Sequence, residues 1–163
     1  MGETNREKMM STDARVVVLP ESTSELRVEE LALPDPGPHQ VVVKEYASGV
    51  CHSQLHQMHR PRNAPVVLGH EATGIVVKAG SAVTHVEEGD TVLLTWVPRD
   101  IEGAGRVPDR ATLQVSDGVA QSENVFTWAD HTICDEQYAV KVDPNIAKDV
   151  TSIIGCAVMT GAG

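Results

Sequence analysis

The chain has 163 residues, and its 41% hydrophobic and 22% charged content is ordinary for one soluble domain with a core. Its net charge of −10 argues against nucleic acid or an anionic membrane as a partner, because both bind basic patches. No apolar run reaches the roughly 18 residues that a membrane-spanning helix needs.

Residues 1–10 lack the apolar core of a signal peptide, and we expect a disordered leader over residues 1–13, followed by one domain over 14–163. A Pro-Asp-Pro-Gly-Pro turn stands at 34–38, and a breaker-free stretch at 50–60 predicts a short helix. Short β-branched or alternating runs between turns predict strands at 15–19, 26–33, 40–46, 74–78 and 91–94.

The second half carries fewer clear elements. Residues 97–125 have no periodicity and are predicted to be mostly loop, whereas 126–142 predict one or two strands with a turn at Asp135 and Glu136. A final helix is predicted to open at 143–145 and to carry Cys156. Short strands at close spacing therefore predict a mainly β fold, barrel-like, with a few short helices.

Three side chains are candidate metal ligands: Cys51, His70 and Cys156. Three cysteines in all are too few and too scattered for a disulfide framework, which favours a reducing cytoplasm where thiolates are free to bind metal. Thiolate and imidazole are zinc ligands, and a catalytic zinc uses three protein ligands. From composition alone, buried structural cysteines and a satisfied histidine remain an equal alternative.

Four motifs in order over residues 14–163 resemble those of zinc-containing medium-chain alcohol dehydrogenases. The resemblance implies a GroES-like fold, which is a partly open β-barrel. The motifs are Gly49-Val50-Cys51-His52-Ser53, Gly69-His70-Glu71-Ala72-Thr73-Gly74 with Gly80 and Val83, Gly89-Asp90-Thr91-Val92, and residues 154–161 around Cys156.

The resemblance implies that Cys51, His70 and Cys156 hold one catalytic zinc, a known arrangement in alcohol dehydrogenases. It implies the NAD(P)-linked interconversion of a small alcohol and an aldehyde or ketone, by hydride transfer from a zinc-bound alkoxide. Ser53 stands where the family takes up the alcohol proton, and His56 where a relay base passes it to water. The alternative readings are a helix cap for Ser53 and an exposed polar residue for His56.

Four further residues acquire expected roles in the same way. His52 matches a position that contacts the cofactor's pyrophosphate, and Thr160 resembles one that packs against the nicotinamide. Trp96 falls in the family's substrate pocket, where it would favour small alcohols; a core aromatic is the alternative. Glu71 follows the metal histidine and is either a transient zinc ligand or a residue that supports the site.

The sequence departs from the family pattern in two places. Gln54 stands where the family usually has an aspartate that hydrogen-bonds the zinc-bound histidine; glutamine can accept the same bond but adds no charge. Residues 97–125 contain no cysteine, so we expect one catalytic zinc and no structural zinc, with this loop held in another way.

No strand-associated GxGxxG fingerprint is present, so we expect the family's Rossmann domain to be absent from this chain. The chain alone is then expected to bind zinc but not to turn over, with NAD or NADP bound by the missing domain. The full-length protein is expected to be cytoplasmic. The resemblance implies that it forms a homodimer or a homotetramer. Two alternatives stay open: a zinc-free quinone-reductase-type oxidoreductase, and a stand-alone metal-binding or interaction module.

Overall fold

Two five-stranded sheets form the framework of the computed structural model, which describes residues 11–99 and 105–163. The first sheet is built from β1 (Thr12–Leu19), β2 (Arg27–Leu33), β4 (Val66–Val67), β7 (Thr112–Val115) and β8 (Gly118–Gln121). Its strand order is β2-β1-β4-β8-β7. The pairing of β4 with β8 is parallel, whereas the other pairs of this sheet are antiparallel.

The second sheet is antiparallel throughout the described residues. It is built from β3 (Gln40–Ser48), β5 (Ala72–Ala79), β6 (Thr91–Leu94), β9 (His131–Asp135) and β10 (Ala139–Lys141). Its strand order is β10-β6-β5-β3-β9. The mainly β, barrel-like prediction is confirmed.

Helices are short and lie between or after the strands. They are α1 (Ser53–His59), a 3-10 turn (Glu136–Tyr138), α2 (Lys148–Thr151), a π-helix (Ile154–Val158) and α3 (Met159–Ala162). None of the helices in the described ranges has the length and apolar character needed to cross a membrane.

Strand β3 lies between two hydrophobic clusters, which explains its three consecutive buried valines. Val42 packs in one cluster with Phe126 and Ile133, whereas Val41 and Val43 pack in the other. Because successive side chains of a strand point to opposite faces, an unbroken valine run is typical of a strand buried on both faces. The core therefore occupies both sides of the second sheet.

Three sequence predictions need correction. Residues 97–125 are not mostly loop, because β7 and β8 form a hairpin whose turn uses Gly118 at φ +141°. The predicted final helix begins only at Lys148 and is broken at Ile153 before the π-helix. Strand β1 begins at Thr12, so the last two residues of the predicted leader belong to the sheet; residues 1–10 lie outside the described part.

A partly buried ion pair fixes the segment that follows residue 104. Both Arg106 Nη atoms donate to Asp135, at 2.5 and 2.8 Å, and the Asp109 amide donates to the same carboxylate at 2.8 Å. Burial raises the pKa of Asp135, but these bonds and the Gln137 amide outweigh it and hold the pKa below its usual value. Charge-assisted bonds thus tie this segment to the second sheet.

Candidate metal centre and pocket

Three separate connections bring the predicted ligands together. Cys51 lies between β3 and α1, His70 between β4 and β5, and Cys156 in the π-helix. One ligand atom from each lies within 4.8 Å of the others, and the two sulfur atoms are 3.8 Å apart. Residues far apart in sequence therefore converge on one point, as the sequence predicts.

The arrangement fits a zinc ion. Two thiolates that bind a tetrahedral zinc at about 2.3 Å lie about 3.8 Å from each other, which matches the observed sulfur separation. His70 Nε2 is buried and has no hydrogen-bond partner among the described residues, a state that is destabilising unless another group satisfies the nitrogen. The donor set and this free nitrogen together favour a metal ion over two structural cysteines and a satisfied histidine.

Two glycines position the ligand backbones. Gly69, directly before His70, has φ +93°, and a Cβ there would lie 2.5 Å from Thr127 Oγ1. Gly155, directly before Cys156, packs against strand β6, where a Cβ would lie 2.3 Å from the Leu94 carbonyl oxygen. These close approaches hold the His70 segment against the loop at Thr127 and the Cys156 segment against β6.

The two thiols differ in their pKa. Burial raises the pKa of Cys51, but the Ser53 hydroxyl and backbone amide and the Cys156 thiol lower it below its usual value. Because the Ser53 oxygen has no partner of regular geometry, its contact with the sulfur is loose. Burial and the neighbouring Cys51 raise the pKa of Cys156 to about 11.

Gln54 connects two of the ligands, and its orientation corrects the sequence prediction. Its side chain is 1% exposed, and Oε1 accepts a hydrogen bond from the Cys51 backbone amide at 3.1 Å. Its Nε2 lies 2.7 Å from His70 Nδ1. The amide therefore presents a donor, not the predicted acceptor, to the histidine, because its oxygen is already bonded to Cys51.

Glu71 supports the π-helix. It is 1% exposed, and its Oε2 accepts a hydrogen bond from the Ala157 amide at 3.0 Å, next to Cys156. Among the described residues, the three-ligand cluster does not include Glu71. This position agrees with a supporting residue.

A cavity of about 280 Å³ opens beside the ligand cluster. One face of α1 forms a polar wall from Ser53, His56 and Gln57, which are spaced as neighbours on a helix, and Arg60, directly after α1, extends this wall. Apolar side chains form much of the remainder. They are Val67, Leu68, Trp96 and Val125.

The pocket tests the alternatives for three predicted residues. Trp96 is 42% exposed and lines the cavity, so it is not a core aromatic. Ser53 makes no side-chain cap on α1, and its hydroxyl is buried without a partner. His56 is exposed and also lines the cavity. Gln57, whose Oε1 is buried without a partner, was missed, although helical spacing from Ser53 could have predicted it.

The two predicted cofactor contacts lie at the edge of the cluster and do not line the cavity. His52 is exposed, precedes α1, and stacks edge-on against His56 with ring centres 5.1 Å apart. Thr160 is exposed on α3, and its hydroxyl contacts Cys156, where it lowers that thiol's pKa against the larger effect of burial.

Residues 37–144 match the family model for the alcohol dehydrogenase GroES-like domain. The chain is 41% identical over 88 residues to an alcohol dehydrogenase of Moraxella sp. (strain TAE123), covering 51% of this chain and 26% of that protein. It is 28% identical to the S-(hydroxymethyl)glutathione dehydrogenase of Candida maltosa, covering 88% and 44% of the two chains. The chain thus spans less than half the length of either relative.

Solved structures share the fold. Benzyl alcohol dehydrogenase from Acinetobacter calcoaceticus superposes with a TM-score of 0.75 at 25% identity, over 93% of this chain and 47% of that one. A quinone oxidoreductase from Coxiella burnetii superposes with a TM-score of 0.66 at 13% identity, over 93% and 44%, and shows the fold alone. The chain belongs to the zinc-containing medium-chain alcohol dehydrogenase family and carries its GroES-like domain.

Proposed function

We propose that this chain is the zinc-binding catalytic domain of an NAD(P)-linked alcohol dehydrogenase. The observation that carries the proposal is the Cys51–His70–Cys156 cluster beside a cavity, with His70 Nε2 buried and without a hydrogen-bond partner in the described part of the chain. Zinc bound by these three side chains supplies a Lewis acid that lowers the pKa of an alcohol in the adjoining cavity.

Ser53 and His56 provide the path for the alcohol proton. The buried Ser53 hydroxyl lines the cavity, so as it takes up the proton of an alcohol held there it releases its own hydroxyl proton towards His56. His56, three residues along the same helix face, is exposed and passes the proton to water. The two residues thus connect the interior of the cavity to solvent.

The cavity favours a small alcohol with an apolar body. Its volume of about 280 Å³ is at the small end for ligand sites, and Trp96 narrows it from one side. Val67, Leu68 and Val125 give the substrate an apolar surface to contact. We therefore propose small alcohols and the corresponding aldehydes or ketones as substrates.

The nicotinamide cofactor belongs to a second, nucleotide-binding domain in this proposal. His52 then contacts its pyrophosphate and Thr160 its nicotinamide, and both are exposed and available for such contacts. Glu71 supports the zinc site, and no structural zinc accompanies the catalytic one. We further propose a cytoplasmic, full-length homodimer or homotetramer.

The ligand cluster weighs against the two other functions. A zinc-free quinone-reductase-type enzyme shares this fold but needs no convergent pair of thiols and a free imidazole nitrogen. A stand-alone metal-binding or interaction module has no use for a partnerless hydroxyl and a histidine lining a cavity next to the metal ligands.

The test is an assay of the full-length protein with short primary and secondary alcohols and with NAD⁺ and NADP⁺, before and after zinc removal by a chelator. Oxidation that is lost with zinc and restored by adding it supports the proposal. Metal-independent reduction of quinones by NAD(P)H, without alcohol oxidation, contradicts it.

A further inference from the structure

We propose that Gln54 is a positioning residue that sets the ring tautomer of His70 and opposes metal binding until its amide turns over. The inference rests on the proposed zinc site and goes beyond it. Gln54 is 1% exposed and bridges Cys51 and His70, so its side chain contacts two of the three proposed ligands.

The hydrogen-bond pattern fixes which ring nitrogen carries the proton. Gln54 Oε1 accepts from the Cys51 amide, which leaves the Gln54 NH₂ group facing His70 Nδ1. An NH₂ group only donates, so Nδ1 must accept, and the proton of the neutral ring resides on Nε2. That nitrogen is the one that is buried without a partner beside the two sulfur atoms.

Metal binding needs the opposite tautomer. A histidine that binds a metal through Nε2 offers a lone pair there and carries its proton on Nδ1, which then donates to an acceptor. Gln54 supplies that acceptor only by turning its oxygen towards His70. The NH₂ group then faces the Cys51 amide, and two donors oppose each other.

A carboxylate of the same length has no such conflict. Both oxygens of a glutamate at position 54 accept hydrogen bonds, one from the Cys51 amide and one from His70 Nδ1. Gln54→Glu is therefore expected to bind zinc about 10–100-fold more tightly, the range found when a partner of a metal-bound histidine is changed.

The matched control is Gln57→Glu. Gln57 lies on the same helix and lines the same cavity, but the side chain that contacts His70 Nδ1 is that of Gln54. This change adds the same charge near the cluster without the hydrogen bond, so we expect a much smaller rise in affinity. An equal rise in zinc affinity in both variants would mean that the added charge alone causes it, and this result would overturn the proposal.

The experiment measures the His70 tautomer by long-range ¹H–¹⁵N NMR in the metal-free protein, together with zinc affinity by chelator competition. Metal-free wild type is expected to carry the proton on Nε2, and metal-free Gln54→Glu on Nδ1. A proton already on Nδ1 in the wild type overturns the proposal, and this reading does not require the variant to fold. If neither protein binds zinc, the proposed function fails. The His70 tautomer measured in the metal-free proteins still shows whether Gln54 sets it.

Discussion

The Ser53 hydroxyl is buried, lines the cavity and has no regular hydrogen-bond partner. In the full-length protein, Ser53→Ala is expected to lower kcat about 10²–10⁴-fold, because it removes the group that takes up the alcohol proton. Ser53→Thr keeps a hydroxyl and is expected to retain most of the rate. Zinc content, measured on both variants, should not change; loss of zinc from Ser53→Ala would indicate a structural role instead.

Glu45, in strand β3, has a buried carboxyl group, and neither of its oxygens has a hydrogen-bond partner within residues 11–99 and 105–163. Burial, together with the charge of Asp130, raises its pKa well above the usual value of 4.5. The carboxyl is neutral in both states below that value. As pH rises above it, Glu45 ionises in the unfolded chain but not in the folded one. The free energy of unfolding therefore falls with rising pH until the folded pKa is reached.

Replacing Glu45 with leucine is therefore expected to stabilise the protein at pH 7.5 by about 1–3 kcal/mol, since a buried polar group without a partner is removed. The gain should shrink near pH 4, where the carboxyl is neutral in both states. Urea unfolding at both pH values measures this difference, with the exposed Glu88→Leu as control. Equal stability of Glu45→Leu and wild type at pH 7.5 would contradict the account.

Among the elements, the π-helix (Ile154–Val158) is the one that brings the last ligand into the cluster. Thr95 Oγ1 donates to the Gly155 carbonyl at 2.8 Å, and Glu71 accepts from the Ala157 amide. These two contacts, one on each side of Cys156, attach the helix to the second sheet and to the His70 segment.

Gly155→Ala is expected to displace this element, because the new Cβ would lie 2.3 Å from the Leu94 carbonyl oxygen. We expect the sheets to fold and the bound zinc to fall to less than about half of the wild-type amount, as expected when ligand geometry is disturbed. Circular dichroism and metal analysis measure the two effects. In the control Gly161→Ala, the new Cβ enters open space, and we expect full zinc content. Full zinc content in Gly155→Ala as well would refute the role of the close approach.

At the scale of the whole molecule, strong local patterns predicted the framework. Valine-rich β3 and the Thr91–Leu94 run were recognised as strands because their β-branched residues recur between clear turns. The β7–β8 hairpin was missed because its strands have only four residues each and lie in a stretch that shows no clear periodicity. The π-helix was predicted as a regular helix because no local signal marks the wider turn.

Sequence motifs predicted which residues form the candidate site, but they did not predict the hydrogen bonds within it. Sequence placed Cys51, His70 and Cys156 together through a family resemblance, and the geometry agrees with it. The orientation of Gln54 depends on the Cys51 amide, which is a tertiary contact that no periodicity encodes. Glu45 lies within the strand predicted at 40–46, but the burial of its carboxyl was not predicted, because the valine run that indicates burial on both faces of β3 ends at Val43.

We propose that this chain alone forms a catalytic zinc site. The most direct test is the zinc content of the purified chain by plasma mass spectrometry, beside the Cys51→Ser/Cys156→Ser double variant. The account predicts about one zinc per chain, lost in the variant, because the three ligands are already brought together by the fold. Folded wild-type protein that holds no zinc, or a double variant that keeps it, would contradict the account.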